Sequence, residues 1–519
     1  MHCERPCSGS ATANRSARIG ILEGGLINTI GQQIWEGLLL SLPKRPDILA
    51  IQMVAGFVLL ALLSGIMFLV PPMQVAVSVA AILTSLYFFT RPYLALFSIF
   101  VVRAMLDLLW WIPGTIVGLN MLQLFSAAVF VLVATQLFLD LKRMQTHPCF
   151  ELFLGFMLLI AIAVVRCDSI VANLANIVRY TVPFILFFMV SIHFTERSSR
   201  RGLLYVIACI GVIPVAINLY HFSAGQMNQY TLHGYDRLLG GYKNLHNMAL
   251  MTLFFTTIWV LWMGQVRSWA TTSLLMVISA AAAFTMYKSY IRTSVLGLGV
   301  FILALIYFHR RYRLLGFVGV AGLAGILFSP EIQDRFSDIW LLFDTENITL
   351  DKRSIGSGRW GLWTMSMAEY LRMPVWDQIL GPGLGQHLVL TLDFVRQFHT
   401  RKGFQLDPHN DMLLLLYQIG PFGVIIYLWM QWKVLKVAAE VRIMAAGERF
   451  ATHLAAYAAA MTVMVFVTNI VNNSFIHRTS PGWYYWCICG LLFAEYGQLK
   501  RKEAAKQLEP LTTVTETAA

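Results

Sequence analysis

The chain has 519 residues, of which 57% are hydrophobic and only 13% are charged. Soluble proteins carry roughly 25% charged residues, so this composition, with a mean hydropathy of +0.64, excludes an ordinary soluble globular protein. The formal net charge of +12 suggests an anionic partner, and the positions of the basic residues indicate which kind.

Residues 1–47 are polar, rich in Gly and Ser, and precede the first long apolar run. No short apolar stretch in them ends in a small-residue cleavage site, so they do not resemble a cleavable signal. We expect a cytoplasmic N-terminal tail.

From residue 48 onward the chain alternates between long apolar segments and short polar loops. A membrane-spanning helix needs about 20 apolar residues. The predicted spans are 48–70, 73–90, 92–111, 115–138, 150–166, 176–194, 203–221, 246–264, 271–288, 292–308, 313–329, 411–431, 453–471 and 482–497. The pattern predicts an all-α polytopic membrane protein of about fourteen transmembrane helices, eleven in residues 48–329 and three in 411–497, before a cytoplasmic tail at 498–519.

The basic residues concentrate in alternate loops and at both ends of the chain. Lys and Arg accumulate in cytoplasmic loops, and an even number of spans places all of these loops on one side. They contain Arg91, Lys142, Arg143, Arg197, Arg200, Arg201, Arg267, Arg310, Arg311, Arg313, Lys433, Lys436, Arg442, Arg449, Lys500, Arg501, Lys502 and Lys506. The excess charge is therefore a topology signal. We expect no nucleic-acid partner, because no single basic face remains to meet a phosphate backbone.

The opposite, outer side carries one long loop, residues 330–410. Loops of this length are usually functional or disordered, and its four tryptophans argue against disorder. Residues 359–373 show helical periodicity, with Trp360, Trp363 and Tyr370 on one stripe. This pattern predicts an interfacial helix on the outer leaflet.

Several cations lie on the outer side, which positive charge normally avoids. Any one of them can snorkel to the interface without further meaning. Together they predict a site for an anionic ligand, and arginine suits a diphosphate because its planar fork donates paired hydrogen bonds. They are Arg166, Arg179, Arg237, Lys243, Lys288 and Arg292. Arg103 and Asp107 lie four residues apart in the third span, which predicts a structural ion pair.

Three further segments stand out: residues 240–247 at the start of the eighth span, the glycine-rich turns at 381–385, and residues 407–411, where the long loop re-enters the membrane. In the third, His409 lies between Asp407 and Asp411, which predicts a raised pKa and an oriented ring. The glycine-rich segment lacks the strand–helix context of a phosphate-binding loop. The chain shows no ATP-binding signature and no metal-ligand spacing, so we expect no metal and no cofactor.

His409-Asn410 is followed, after nine residues, by Gly420-Pro421-Phe422-Gly423. This motif, opening a span after a long external loop, resembles the bacterial O-antigen ligase and O-antigen (exopolysaccharide) polymerase superfamily. Arg359 with Trp363 and then residues 381–385 is similar to the rest of its long-loop signature. Residues 287–293 resemble its Ser/Arg motif, except that Ser289 lies three residues before Arg292 instead of directly before it. The resemblance covers residues 230–490.

The resemblance implies a metal-independent class C-type glycosyltransferase of the bacterial inner (cytoplasmic) membrane, acting in lipopolysaccharide or exopolysaccharide biosynthesis. Its donor would be an oligosaccharide on undecaprenyl diphosphate at the periplasmic face. His409, matched to the motif histidine, would be the general base beside Asn410. The substrate-binding cations would be Arg292, Arg359 and Lys288, with Arg166, Arg179 and Arg237. Expected partners are the glycan acceptor, the lipid bilayer, and flippase and chain-length regulator proteins.

The motifs leave the acceptor open. A polymerase, extending a lipid-linked repeat unit, is our first interpretation, and a ligase, attaching the glycan to lipid A–core, is the second. A protein O-glycosyl ligase is a third and less favoured interpretation. A lipid-glycan transporter should show internal repeats and interrupted helices near the midplane. The chain has no convincing internal repeat, and its unusual polar groups gather at the outer interface.

Overall fold

The protein is described here from a computed structural model, which covers residues 91–108, 115–116, 119–226, 238, 242, 244–311, 313, 316, 358–386, 407–476 and 478–517. Several predictions lie outside these residues: the N-terminal tail, the spans at 48–70 and 73–90, nearly all of the span at 313–329, most of the 330–410 loop, Arg237 and Lys243.

The described chain is almost entirely helical. Its helices are α1 (Pro92–Leu108), α2 (Met121–Leu139), α3 (Leu141–Gln145), α4 (Phe150–Val165), α5 (Ile170–His193), α6 (Arg197–Ser223), α7 (Leu245–Gln265), α8 (Trp269–Ser289), α9 (Arg292–Phe308), α10 (Arg359–Arg372), α11 (Val375–Leu380), α12 (Asp411–Met444), α13 (Arg449–Val471) and α14 (Thr479–Thr517). Two-residue strands, β1 (Thr115–Ile116) and β2 (Leu119–Asn120), pair antiparallel. The predicted fourth span, 115–138, therefore begins as a small hairpin and becomes helical at Met121.

Among the described residues, seven helices are long and apolar enough to cross a membrane: α2, α6, α7, α8, α12, α13 and residues Ala175–His193 of α5. Helices α4 and α9 are apolar but shorter. These helices confirm a multi-pass helical membrane protein. The total of fourteen spans stays a prediction.

The chain divides into two compact units. One comprises Met1–Ala95 with Glu196–Leu203, and the other comprises Leu96–Thr195 with Leu204–Ala519. Every contact described below lies within the second unit.

Helices α7 and α13 form the interior of this unit and are buried on nearly all sides, as expected of helices that are apolar all round. Five alanines of α13, two before and three after Tyr457 in the segment Ala455–Ala460, are almost completely buried. Small side chains allow close helix packing where lipid supplies no hydrophobic drive for association. The core of the membrane domain therefore lies around α7 and α13.

Arg103 and Asp107 confirm the predicted structural pair. The Arg103 Nε atom lies 3.5 Å from Asp107 Oδ2, and both side chains are buried. Arg103 also donates hydrogen bonds to Ser126 Oγ at 2.9 Å and Ser480 Oγ at 2.6 Å. Its guanidinium thus joins α1, α2 and α14 in the interior.

Contacts between helix ends define the two ends of the bundle. At one end, Arg449 donates from Nε to the carbonyl of Gly264 at 2.9 Å, and Lys502 lies 3.7 Å from Glu448. At the other end, Asp411 accepts a hydrogen bond from the Ser474 amide at 2.8 Å. The starts of α12 and α14 and the end of α13 therefore share the second end, which carries the candidate site.

Helix α12 is interrupted at Gly420, whose backbone is left-handed with φ 72° and which precedes Pro421. A Cβ atom at Gly420 would collide with the carbonyl oxygen of Ile379 in α11. Because only glycine adopts this conformation without strain, the sequence Gly-Pro allows α11 to pack directly against the α12 backbone.

Candidate functional site

The site is built around the turn at residues 407–410, which leads into α12. Asn410 caps the helix, because its Oδ1 accepts hydrogen bonds from the amides of Met412 at 2.9 Å and Leu413 at 3.1 Å, a preferred role of asparagine. His409 takes a left-handed backbone conformation, with φ 49°. Trp363 of α10 donates from Nε1 to the Pro408 carbonyl at 2.8 Å. The turn is thus held from both sides, and Asn410 has a structural task whatever it contacts in a substrate.

Arg359 is the first residue of α10. It donates from Nη1 to the carbonyl of Val471, the last residue of α13, at 2.6 Å. Its positive charge lowers the pKa of His409. The structure therefore brings these two predicted site residues together.

Residues 472–476 and 478, in the loop between α13 and α14, form the next wall of the site. The Asp411 carboxylate accepts hydrogen bonds from the amides of Ser474 at 2.8 Å and Ile476 at 3.0 Å. Asn469 Oδ1 accepts from the Phe475 amide at 2.9 Å. Three main-chain donors are therefore satisfied by side chains of α12 and α13, which anchors residues 474–476 to both helices.

Arg478 ends this loop and binds two asparagines. It donates from Nε to the Asn473 carbonyl and from Nη1 to Asn247 Oδ1 in α7, both at 2.9 Å. Burial lowers the pKa of Arg478 to about 10, and the charges of Asp411 and Asp407 oppose that shift. Arg478 therefore remains a cation at neutral pH, since its pKa stays well above 7.

Electrostatic effects show which other cations lie close by. Besides burial, the positive charges of Arg179 and Arg359 also lower the pKa of Arg478. Arg179 belongs to α5 and was predicted from its place on the outer side. Three guanidinium groups therefore lie within electrostatic range at this end of the bundle, where Asp407 and Asp411 offset part of their charge, and guanidinium groups are well suited to bind an anion.

His246 lies opposite His409 in the first turn of α7, behind the capping residue Asn244. The centroids of the two imidazole rings are 6.2 Å apart and their planes are inclined by 31°. His246 Nδ1 lies 3.2 Å from Asn472 Nδ2. The site thus contains two imidazoles and a buried amide next to the three guanidinium groups.

The direction of the His409 pKa shift is opposite to the one predicted. Burial lowers the pKa of His409 to about 4, and the charges of Arg359 and Arg478 act in the same direction. Asp407 opposes them, whereas the Asp411 carboxylate is occupied by the main chain of the 472–478 loop. The prediction that two carboxylates raise the pKa of His409 was wrong, because burial and the arginine charges lower this pKa by more. His409 is therefore neutral at pH 7.

Arg166 and Lys288 have other neighbours in this structure. Arg166 forms a salt bridge with Asp377 of α11. The Lys288 Nζ atom lies 5.8–6.0 Å from the ring centroids of Tyr287, Phe284 and Phe222, which is cation–π distance. The ion pair and the ring contacts account for both charges without a ligand.

Arg292 begins α9, two residues after the left-handed residue Tyr290. The amide of Ile291 donates to Ser289 Oγ at 3.2 Å. Ser289 thus shapes the turn before Arg292, and substrate binding by Arg292 stays a prediction.

The glycine-rich segment at 381–385 is a packing element. The amide of Leu384 donates to the Ala163 carbonyl of α4 at 3.2 Å. A Cβ atom at Gly383, where φ is 119°, would lie 2.8 Å from the carbonyl oxygen of Arg166. The segment therefore docks α11 onto the end of α4.

Sequence reasoning assigned no role to Arg478 or Asn472 and singled out only the segment that contains His246. Arg478 follows the predicted span 453–471, and the basic loop before that span lies at its opposite end. Arg478 is therefore an arginine on the outer side, which positive charge normally avoids, and the same rule selected Arg292. The polar run Asn472-Asn473-Ser474 between two apolar spans was a second signal. Their convergence on His409 required the tertiary structure.

No protein-family model matches this chain, and the comparison with curated proteins finds no match. The resemblance carried by the His409-Asn410 motif therefore remains a prediction, and the geometry of the site is the main basis for assigning function.

Proposed function

We propose that this protein is a polysaccharide polymerase of the bacterial inner membrane. It transfers a glycan from undecaprenyl diphosphate to a lipid-linked repeat unit at the periplasmic face, without a metal. One observation carries the proposal: a buried, neutral imidazole, His409, lies with the guanidinium groups of Arg359 and Arg478 at one end of an apolar helical bundle.

The chemistry needs these two kinds of group. The acceptor hydroxyl oxygen attacks the anomeric carbon, the bond from that carbon to the diphosphate oxygen breaks, and the diphosphate leaves with the bonding electrons. His409 takes the hydroxyl proton, and a positioned base of this kind contributes typically 10²–10⁴-fold. Arg359 and Arg478 stabilise the charge that grows on the diphosphate. The leaving group is already activated, so the step needs no ATP.

The surface beside the site suits a lipid-borne substrate. Helix α10, the helix predicted to be interfacial, exposes Trp360 and Leu371, and α11 exposes Val375 and Trp376. Tryptophan is enriched at membrane–water interfaces, where its ring is partly apolar and partly polar. A polyprenyl chain could lie along this surface while its diphosphate meets the arginines.

Purified protein in nanodiscs, supplied with lipid-linked repeat units and no ATP, tests the proposal directly. We expect longer lipid-linked chains from the native protein and none from His409→Ala at equal protein level. His309→Ala is the matched control, because His309 contacts His453, a residue near the start of α13, at the opposite end of the bundle. Normal chain length with His409→Ala would overturn the role of His409.

A ligase shares the same motif and the same chemistry and differs in its acceptor. In cells that lack the protein, single repeats that remain unextended indicate a polymerase. Lipid-linked polymer that accumulates unattached indicates a ligase.

One feature favours a transporter of lipid-linked glycans, because interrupted helices such as α12 at Gly420 are common in transporters. The interruption here is filled by the packing of α11, which favours a structural explanation. Chain extension by the purified protein would exclude a pure transporter.

A further inference from the structure

The side chain of Asn472 connects the two imidazoles of the site. Asn472 is fully buried, and its Nδ2 lies 3.2 Å from His246 Nδ1. The same side chain also raises the pKa of His409, against the larger effects of burial and the arginines. The amide therefore interacts with His246 on one side and with His409 on the other.

Two atoms at this point have unmet hydrogen-bonding capacity. Within the described part of the chain, neither His409 Nδ1 nor Asn472 Oδ1 has a hydrogen-bond partner, and both are buried. Buried polar atoms are normally paired, and each exception calls for an explanation. One of these atoms can carry a proton and the other can only accept one, so a hydrogen bond between them would satisfy both.

The orientation of the amide follows from its other neighbour. With His246 Nδ1 unprotonated, Asn472 Nδ2 is the donor to His246, and Oδ1 is then the end of the amide left for His409. An acceptor beside His409 Nδ1 favours the tautomer that carries its proton there. That tautomer leaves Nε2 with the free lone pair that a general base requires.

We propose that Asn472 is a positioning residue: it accepts the Nδ1–H hydrogen bond of His409, so that Nε2 takes the proton of the acceptor sugar. His246 holds the other end of the amide. This assignment rests on the proposed glycosyl transfer. When the hydroxyl proton moves to Nε2, His409 becomes an imidazolium, and the Asn472 oxygen stabilises the proton on Nδ1. An Asn oxygen that orients a catalytic histidine is known chemistry in other enzymes.

The backbone supports this role. The amide of Asn472 donates to the Thr468 carbonyl at 3.0 Å, and two residues later Asp411 holds the Ser474 amide. The backbone is thus held at Asn472 and again two residues later. The Asn472 oxygen is therefore already in place before the reaction begins. Such preorganisation is what a positioning group provides.

The experiment compares Asn472→Ala and Asn472→Asp with the native protein, using the pH dependence of chain extension in nanodiscs. Among the residues that the structure describes, the charged and titratable groups found around His409 are Arg359, Arg478, Asp407 and His246, and all stay unchanged. Asn472→Ala should slow chain extension roughly tenfold or more and move the acidic limb of the profile to lower pH, since the imidazolium loses an acceptor. Asn472→Asp should restore part of the rate and move the limb to higher pH, because a carboxylate stabilises the imidazolium more strongly.

Asn218→Ala is the control, because Asn218 is also fully buried and its amide atoms have no hydrogen-bond partner among the described residues. It should leave the profile unchanged. Titration of His409 by NMR with isotope-labelled histidine measures the same shifts without any turnover. If Asn472→Ala fails to fold, Asn472→Asp alone carries the comparison.

The two proposals fail in different ways. Opposite shifts of the His409 titration in the two variants support the role of Asn472, even if the native protein extends no chains, in which case the proposed function fails. Chain extension that depends on His409, together with profiles and titrations unmoved in both Asn472 variants, overturns the positioning role alone.

Discussion

Arg359 donates a hydrogen bond of 2.6 Å from its Nη1 atom to the carbonyl of Val471. This bond joins the first residue of the loop helix α10 to the last residue of α13, directly before Asn472. One guanidinium therefore fixes the start of the 472–478 loop and also places a positive charge near His409.

Replacing Arg359 with Gln should slow glycan transfer by on the order of 10²-fold, the usual loss when one charge-stabilising donor is removed. It should also raise the pKa of His409, because a nearby positive charge that lowers it is lost. Since a general base works unprotonated, the acidic limb of the pH–rate profile should move to higher pH. Arg372→Gln is the control, because Arg372 pairs with Glu369 on the exposed side of α10. A limb that stays in place would contradict the proximity of Arg359 to His409.

Asp411→Ala should destabilise the protein by about 2–4 kcal/mol, because hydrogen bonds to a charged group contribute about 1.5–3 kcal/mol and their loss leaves buried donors unpaired. The Asp411 carboxylate is fully buried and accepts from two main-chain amides. Thermal unfolding in detergent measures the loss. Glu369→Ala should change stability by less than about 1 kcal/mol, since its partner Arg372 is a surface residue. Equal unfolding temperatures for both variants would show that the Asp411 hydrogen bonds do not stabilise the protein.

Gly420→Ala should disrupt the junction of α11 and α12. Its left-handed backbone disfavours any side chain, and the added methyl group would collide with the Ile379 carbonyl. We expect a loss of about 3 kcal/mol or more, in the range of severe core changes. Gly299→Ala, in α9, meets no atom within 4 Å and should be neutral or slightly stabilising, because alanine favours helix. The ratio of folded to aggregated protein in gel filtration reports the difference.

Arg103→Ala should cost about 3–5 kcal/mol, because it leaves the buried Asp107 carboxylate without its cation. The double variant Arg103→Met with Asp107→Leu should lose less, since no buried charge remains. Unfolding temperatures of the single and double variants give the coupling between the two positions. Strictly additive losses would show that the pair does not act as a unit.

Cysteine labelling tests which end faces outward. In a background without native cysteines, Ala368→Cys on α10 should react with a membrane-impermeant maleimide in intact cells. Ala446→Cys, between α12 and α13, should react only after permeabilisation. Both alanines are exposed, so access to the reagent and not burial decides the result. The reverse pattern would place the candidate site inside the cell and end the proposed use of a periplasmic donor.

Local sequence patterns predicted most of the described helices and one buried ion pair. Apolar runs of membrane length located α7, α8, α9 and α13 to within about four residues at either end, because a helix in lipid must satisfy its own backbone. Helices α5 and α6 begin before their predicted spans, and α12 continues well beyond its span to Met444. Helical periodicity located α10, and spacing alone indicated the Arg103–Asp107 pair. These features depend on residues that are close in sequence.

The tertiary structure alone decided the site. Arg478 and Asn247 are 231 residues apart and share a hydrogen bond, and no local pattern encodes that pairing. It also assigned Arg166 to Asp377 and reversed the shift expected for the His409 pKa. Charge effects act through space and depend on burial, so the same side chains can raise or lower a pKa. Sequence alone therefore indicated the kind of groups present, and packing determined which of them meet.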